Sequence, residues 1–391
     1  MSEKFFEFLE EKLRRLKEQN LYRSLKDVNS RDGMEITING KKYINFSSND
    51  YLGLSQHPLV KEAAMQAIKI FGCGGGASRL LAGGTVLNKE LEKLLAQLKG
   101  TESSIVLNSG YTANTSLIPV LAEEEDIIFS DELNHASIID GIRLSKAKKI
   151  IYKHADIDDL SQKIKETSCK GKKIVITDTV FSMDGDIAPL KELYEICKFE
   201  DAILYIDDAH GTGVLGQGQG AWKHFNLPQE NFVVQMGTLS KSVGCFGAFV
   251  CGTNSLIDWF INSARGFIFS TALPPSVIAS AIASIKIIIE DKTLIDTLWH
   301  NTEKVIEAIK ILGLKTTNTQ TPIIPLLFES IEDAMNASKI FNSLGIYAPV
   351  IRPPTVKIPR IRITISAAHT HENIERLIEA FNLLCQQPRR A

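Results

Sequence analysis

From about residue 103 to residue 253 the chain alternates between two kinds of segment. Short β-branched runs fall at 104–107, 127–129, 148–152, 173–177, 202–206, 232–234 and 248–251, and helical stretches or loops separate most of them. That alternation predicts an α/β domain built on a mostly parallel sheet. In such sheets ligands bind beyond the carboxyl ends of the strands. The polar residues just after each apolar run are therefore the first candidates for function.

A single core rarely grows beyond ~250–300 residues, and this chain has 391. A second, smaller unit is expected, and the pattern changes after Leu273-Pro-Pro275. Two long helical patterns (277–290 and 293–312) precede strands at 322–328 and 360–366, with a helix between the strands and another at 371–385. At the other end Phe5, Leu9, Leu13 and Leu16 recur at helical spacing, and Asn39-Gly40 marks a hairpin within 34–46. The expected division is an N-terminal arm over 1–55, a large α/β domain over 56–284 and a small α+β domain over 285–391.

Several classes of protein are disfavoured. Net charge is −2, which argues for neither nucleic-acid nor membrane partners. No run approaches the ~18 apolar residues of a membrane span. The six cysteines are scattered without C-x-x-C spacing, which argues against a metal site and for a reducing compartment. The N-terminus is too acidic for a leader, so a cytoplasmic protein is expected. The glycine-rich stretch 72–85 lacks the lysine of a P-loop; a wall around a large ligand and a simple loop both account for it. Gly211 to Gly216 matches G-x-G-x-x-G, but Gln217-Gly-Gln-Gly220 follows where a dinucleotide site needs a helix.

The strand ends hold the chemistry. Ser109-Gly110-Tyr111 follows one run and opens a helix whose amides could take a phosphate. His135 stands at another helix start, Ser182 lies among hydroxyls and acids, and Asp207, Asp208 and His210 stand at the tip of a strongly apolar strand. Lys241 sits in Thr238-Leu-Ser-Lys241, between two apolar runs that could desolvate it into an amine nucleophile. Arg352 is presented by a stiff proline loop, suited to capture a carboxylate. Lysine, acid, histidine, phosphate-ready turn and arginine are together what a pyridoxal phosphate (PLP) enzyme needs.

The motifs also resemble those of the α-oxoamine synthases, PLP-dependent transferases of aminotransferase-like fold (fold type I). The resemblance spans about residues 20–385. It rests on Asn45-Phe-Ser-Ser-Asn-Asp-Tyr-Leu-Gly-Leu54, Ala77-Ser-Arg79, Asp131-Glu-Leu-Asn-His-Ala-Ser137, Val180-Phe-Ser-Met-Asp-Gly185, Asp207-Asp-Ala-His-Gly-Thr-Gly213, Thr238-Leu-Ser-Lys241 and Ser270-Thr-Ala-Leu-Pro-Pro275. It implies a decarboxylating acyltransferase and, within the family, Ile351-Arg-Pro-Pro-Thr-Val356 favours L-alanine and a pimeloyl thioester carried on CoA or acyl-carrier protein. Glycine- or serine-using members, and a non-catalytic scaffold subunit, are the alternatives.

By position the resemblance makes Lys241 the Schiff-base lysine, with Asp207 on the pyridinium nitrogen, His210 on the phenolic oxygen and His135 stacked on the ring. Ser182 would contact the cofactor, and Gly110, Tyr111 and Thr238 would line its phosphate end. Arg352 would hold the alanine carboxylate, while Arg23, Asn49 and Thr355 would contact substrate. A homodimer is implied. Ser240 departs from the family, which commonly has glycine there.

Overall fold

The computed structural model describes residues 2–386. A helix over Ser2–Glu18 leads into a meander of β1 (Val28–Asp32), β2 (Glu35–Ile38) and β3 (Lys41–Asn45), with Asn39-Gly40 at the tight turn between β2 and β3. Both turn residues take positive φ, which is why an Asn-Gly pair serves there.

The large sheet follows: β4 (Ser103–Leu107), β5 (Ile127–Asp131), β6 (Lys148–Tyr152), β7 (Lys173–Asp178), β8 (Ala202–Asp207), β9 (Val233–Thr238) and β10 (Ala248–Gly252). Their spatial order is β4-β10-β9-β8-β7-β5-β6. The pairs among β6, β5, β7, β8 and β9 are parallel, and β10 runs antiparallel to both β9 and β4. Alternate residues feed two separate apolar layers. Ile174, Ile176, Tyr205 and Val250 face one layer, and Val175, Leu204, Ile206 and Phe249 face the other. A sheet covered on both faces needs unbroken apolar runs, and those are the runs in the sequence.

One strand is longer than its apolar run. The run at 232–234 continues as β9 through Gln235, Met236 and Gly237 to Thr238, so the polar loop shrinks to Leu239–Gly247. Gln235 is buried because its amide donates to Gln229 Oε1 at 2.8 Å. Gly237 is required by packing: a Cβ there would lie 2.4 Å from Phe249 Cζ.

The C-terminal part holds β11 (Ile323–Leu327), β12 (Ile346–Tyr347), β13 (Val350–Ile351) and β14 (Arg360–Thr364), with helices over Thr293–Leu312, Ile331–Ser343 and His371–Gln386. β14 lies between β11 and β13, antiparallel to both. β12 pairs in parallel with β3, so the N-terminal meander becomes part of the C-terminal layer. Segment 180–187 is held between the two sheets. Arg360 reaches Asp184 Oδ1 at 2.7 Å, Thr321 donates to the Gly185 carbonyl at 2.9 Å, and Arg362 Nε donates to the Ser182 carbonyl.

Candidate active site

Four neighbouring parallel strands end in polar side chains: Asp131 on β5, Asp178 on β7, Asp207 on β8 and Thr238 on β9. Asp178 and Asp207 are paired across β7 and β8, so two buried acids stand side by side at one sheet edge. Asp207 is satisfied on both oxygens. Oδ1 accepts from the Ala209 N–H at 3.0 Å, and Oδ2 accepts from Asn114 Nδ2 at 2.8 Å. Burial, and then the neighbouring Asp207 carboxylate, push the Asp178 carboxyl well above its usual range. Asp178 accepts the backbone N–H of His135 at 2.7 Å, which sets the helix start that carries this histidine.

Lys241 lies half-buried in the turn that follows β9. The turn is locked by the Leu239 N–H on the Gly247 carbonyl and the Gly244 N–H on the Lys241 carbonyl, with Leu239 and Val243 fully buried. Gly244 and Gly247 take the positive φ that this reversal demands. Burial lowers the Lys241 ammonium to about 8, against the opposing pull of Asp207 and Asp178; Arg362 also lowers it. A lysine so placed is partly a free amine near neutral pH.

His210 is buried, and burial followed by the Lys241 and Arg362 cations holds its imidazole well below the usual value, so the ring is neutral. Its Nδ1 lies 2.7 Å from the Tyr51 hydroxyl, which leaves Nε2 as the nitrogen for a ligand. His135 stays exposed, yet desolvation by the surrounding walls keeps its imidazole below the usual value. Tyr111 meets it edge-on at 6.5 Å. Gly110 opens the helix Gly110–Leu121, and a Cβ there would approach Met236 Cε to 3.4 Å and the Thr238 side chain to 4.0 Å. Helix amides and the Thr238 hydroxyl therefore converge. Ser240 adds its own hydroxyl 2.7 Å from Thr238 Oγ1.

The arginine at this cluster is Arg362 of β14, not Arg352. Arg362 is buried and pairs with no carboxylate among the described residues; its guanidinium donates to Asn49 Oδ1 at 3.1 Å and lies 3.4 Å from the Tyr51 hydroxyl. A buried guanidinium served by neutral acceptors is ready for an anion. Asn49 and Ser182 both reach the cluster through it.

Arg352 is placed elsewhere, because its loop turns it back onto the N-terminal arm, where it donates to the Tyr22 carbonyl at 2.7 Å. Arg23 and Thr355 meet there, 2.9 Å apart. This second cluster lines a cavity of about 580 Å³ whose walls carry Arg23, Lys26, Lys339 and Arg352 and no acid.

Asn114, Tyr51, Asp178 and Arg362 were not singled out from sequence. Two arginines, Arg360 and Arg362, alternating with isoleucines in one short strand were the available signal for Arg362.

Comparison with known proteins gives the family. Residues 41–381 match the family described as aminotransferase class I and II. The chain is 73% identical, over 98% of its length and 99% of the relative's, to a provisionally named 8-amino-7-oxononanoate synthase of Thermodesulfovibrio yellowstonii. It is 43% identical, over 97% of both, to the 8-amino-7-oxononanoate synthase of Thermoanaerobacter pseudethanolicus. A serine palmitoyltransferase from S. paucimobilis, solved with a PLP–myriocin aldimine, superposes with a TM-score of 0.91 at 29% identity, covering 97% of each chain. The chain belongs to the aminotransferase class I and II family and, within it, to the group of the 8-amino-7-oxononanoate synthases.

Proposed function

We propose that the protein is a PLP-dependent acyltransferase that condenses L-alanine with a pimeloyl thioester and releases carbon dioxide. The observation that carries this reading is the sheet edge itself. Asp178 and Asp207 stand paired and buried at the strand ends, and Lys241 follows in the turn after the next strand. Arg362 is buried with Asn49 as a neutral acceptor and no carboxylate partner among the described residues. The donor set fits the cofactor. Lys241 would hold its aldehyde carbon, Asp207 its ring nitrogen and His210 its phenolic oxygen, with His135 on the ring face and Ser182 beside it. The Gly110 helix amides, Tyr111, Thr238 and Ser240 would surround its phosphate. When bound, PLP supplies an electron sink for charge developing at the amino-acid Cα.

The residues of the chain do the rest. Arg362, with Asn49, receives the amino-acid carboxylate. Lys241, partly unprotonated, takes the Cα proton and can return it, which is general acid–base work near the operating pH. His210, held by Tyr51, stays a neutral hydrogen-bonding partner. The cationic cavity of Arg23, Lys26, Lys339 and Arg352, with Met335, Val350 and Ile351 as its apolar wall and Thr355 at its side, suits an acyl chain ending in a carboxylate. That favours a dicarboxylic thioester over a plain fatty-acyl one, and CoA and acyl-carrier protein are both to be tried as its carrier. We take the active form to be a homodimer.

The test is direct. PLP-loaded protein is incubated with pimeloyl-CoA or the acyl-carrier-protein thioester and L-alanine, glycine or serine, and the product is identified by mass. The amino ketone from alanine, with carbon dioxide release, is expected; turnover confined to glycine or serine would overturn the reading.

A further inference from the structure

Immediately after Asp207 stands a second acid with a different partner. Asp208 meets Lys99, the last residue of the helix Val86–Lys99, at 2.6 Å between Nζ and Oδ2. Both side chains are out of contact with solvent, at 0% and 1% exposure. Lys99 also donates to the Gln219 carbonyl at 2.9 Å and lies 5.9 Å above the Phe249 ring. Asp208 collects the Thr179 hydroxyl at 2.6 Å, the Thr212 hydroxyl at 3.0 Å and the Ala221 N–H at 3.2 Å. The backbone closes around it: a Cβ on Gly211 or Gly220 would fall 2.1 or 2.0 Å from a carboxylate oxygen.

A buried ion pair is a poor way to gain stability, because desolvating two charges offsets most of their attraction. Position supplies a better reason for this one. Asp208 is one residue from the acid assigned to the ring nitrogen and two from His210, and its charge reaches Lys241. Asp207, Asp178 and Asp208 bear on Lys241 with one sign, and Arg362 with the other; His135 and His210 also sense the lysine. With Asp208 uncompensated, the strand tip would carry an extra buried negative charge one residue from Asp207.

We propose that Lys99 is a charge-balancing, positioning residue for this site, cancelling Asp208 so that Asp207 presents the uncompensated carboxylate to the cofactor and to Lys241. The pair acts through Asp207 and Lys241 and touches no reacting atom. This rests on the PLP reading above.

The experiment follows the absorbance of PLP bound to the full-length protein as pH is varied, since its midpoint reports protonation of the Lys241 nitrogen. Lys99→Met leaves the carboxylate with its three other donors and is expected to raise the midpoint by about one pH unit. Asp208→Asn leaves the ammonium and is expected to lower it. The double variant Lys99→Met/Asp208→Asn, which removes both charges of the pair, is expected to return the midpoint to that of the wild type, and it also controls for folding. Opposite shifts from the two halves of one pair mark charge balance, which loss of packing does not produce. No shift, or shifts of the same sign, overturn the proposal. If borohydride reduction fails to attach PLP to Lys241 in the wild type, the functional reading itself is what fails.

Discussion

In the proposed reaction two arginines divide the anion chemistry. Arg352 was legible because prolines flank it and make its loop stiff. Arg362 was not, because its neighbours read as a core strand and an alternating pattern does not announce which position faces a pocket. The structure gives Arg362 the surroundings of a carboxylate receiver and turns Arg352 towards the arm. Arg362→Ala is expected to raise the KM for the amino acid by about a hundredfold, the range for truncating one member of a buried charge pair, while bound PLP keeps its absorbance. Arg352→Ala is expected to leave that KM within about twofold and to raise the KM for the acyl thioester instead. Steady-state kinetics with each substrate varied separates the two, and the reverse allocation would return the carboxylate to Arg352. Lys241, Asp207, His210 and His135 were all legible, since each follows an apolar run or opens a helix. Tyr51 and Asn114 were not, since what they do depends on partners distant in the chain.

At the level of elements, the inner runs of the large sheet were legible because burial on both faces makes them unbroken apolar stretches. The exposed edge strand β6 was legible from its β-branched and aromatic residues. β9 was cut short because a buried glutamine and a glycine under a phenylalanine ring look like a loop until the neighbouring strand is in place. A further element, the segment 180–187, is fastened to the large sheet by His154. Its Nδ1 lies 3.0 Å from Asp131 and its Nε2 2.8 Å from Asp186. Burial opposes the charge, but the two carboxylates outweigh it and raise the imidazolium from 6.5 to about 10. The folded value lies above the unfolded one. The stabilisation is therefore full below about pH 6.5, declines above it and is gone beyond about pH 10. His154→Gln is expected to cost on the order of 2 kcal/mol near pH 6, and the gap to the wild type should close as pH rises towards 10. Thermal or urea unfolding across that range checks it; a gap independent of pH would remove the ion pair as its cause.

For the whole molecule, sequence gave the layers but not how distant parts join. Nothing local in Ile346-Tyr347 says that it will lie beside Ile44-Asn45. The N-terminal helix keeps Phe5, Phe6, Phe8, Leu9 and Leu13 exposed, and Ile70, Leu81, Val86 and Phe269 are exposed elsewhere on the surface. Apolar surface of this extent suits a second copy of the chain. Sedimentation is expected to show a species at twice the 43.3 kDa chain mass, and replacing Phe5, Phe8 and Leu9 together with serine is expected to weaken it; a monomer at micromolar concentration would count against the dimer. The sheet order also has a consequence in time. β4, the first strand of the large sheet to be made, sits at its edge beside β10, the last. At ~5–20 residues per second on the ribosome, β4 waits on the order of ten seconds for that neighbour. The helix that begins at Gly110, proposed to hold the cofactor's phosphate, waits with it, so that end of the pocket is not complete during early synthesis. Cofactor capture is thus a late event in the life of each new chain, and the half-made sheet spends that interval with an open edge that a chaperone would have reason to cover.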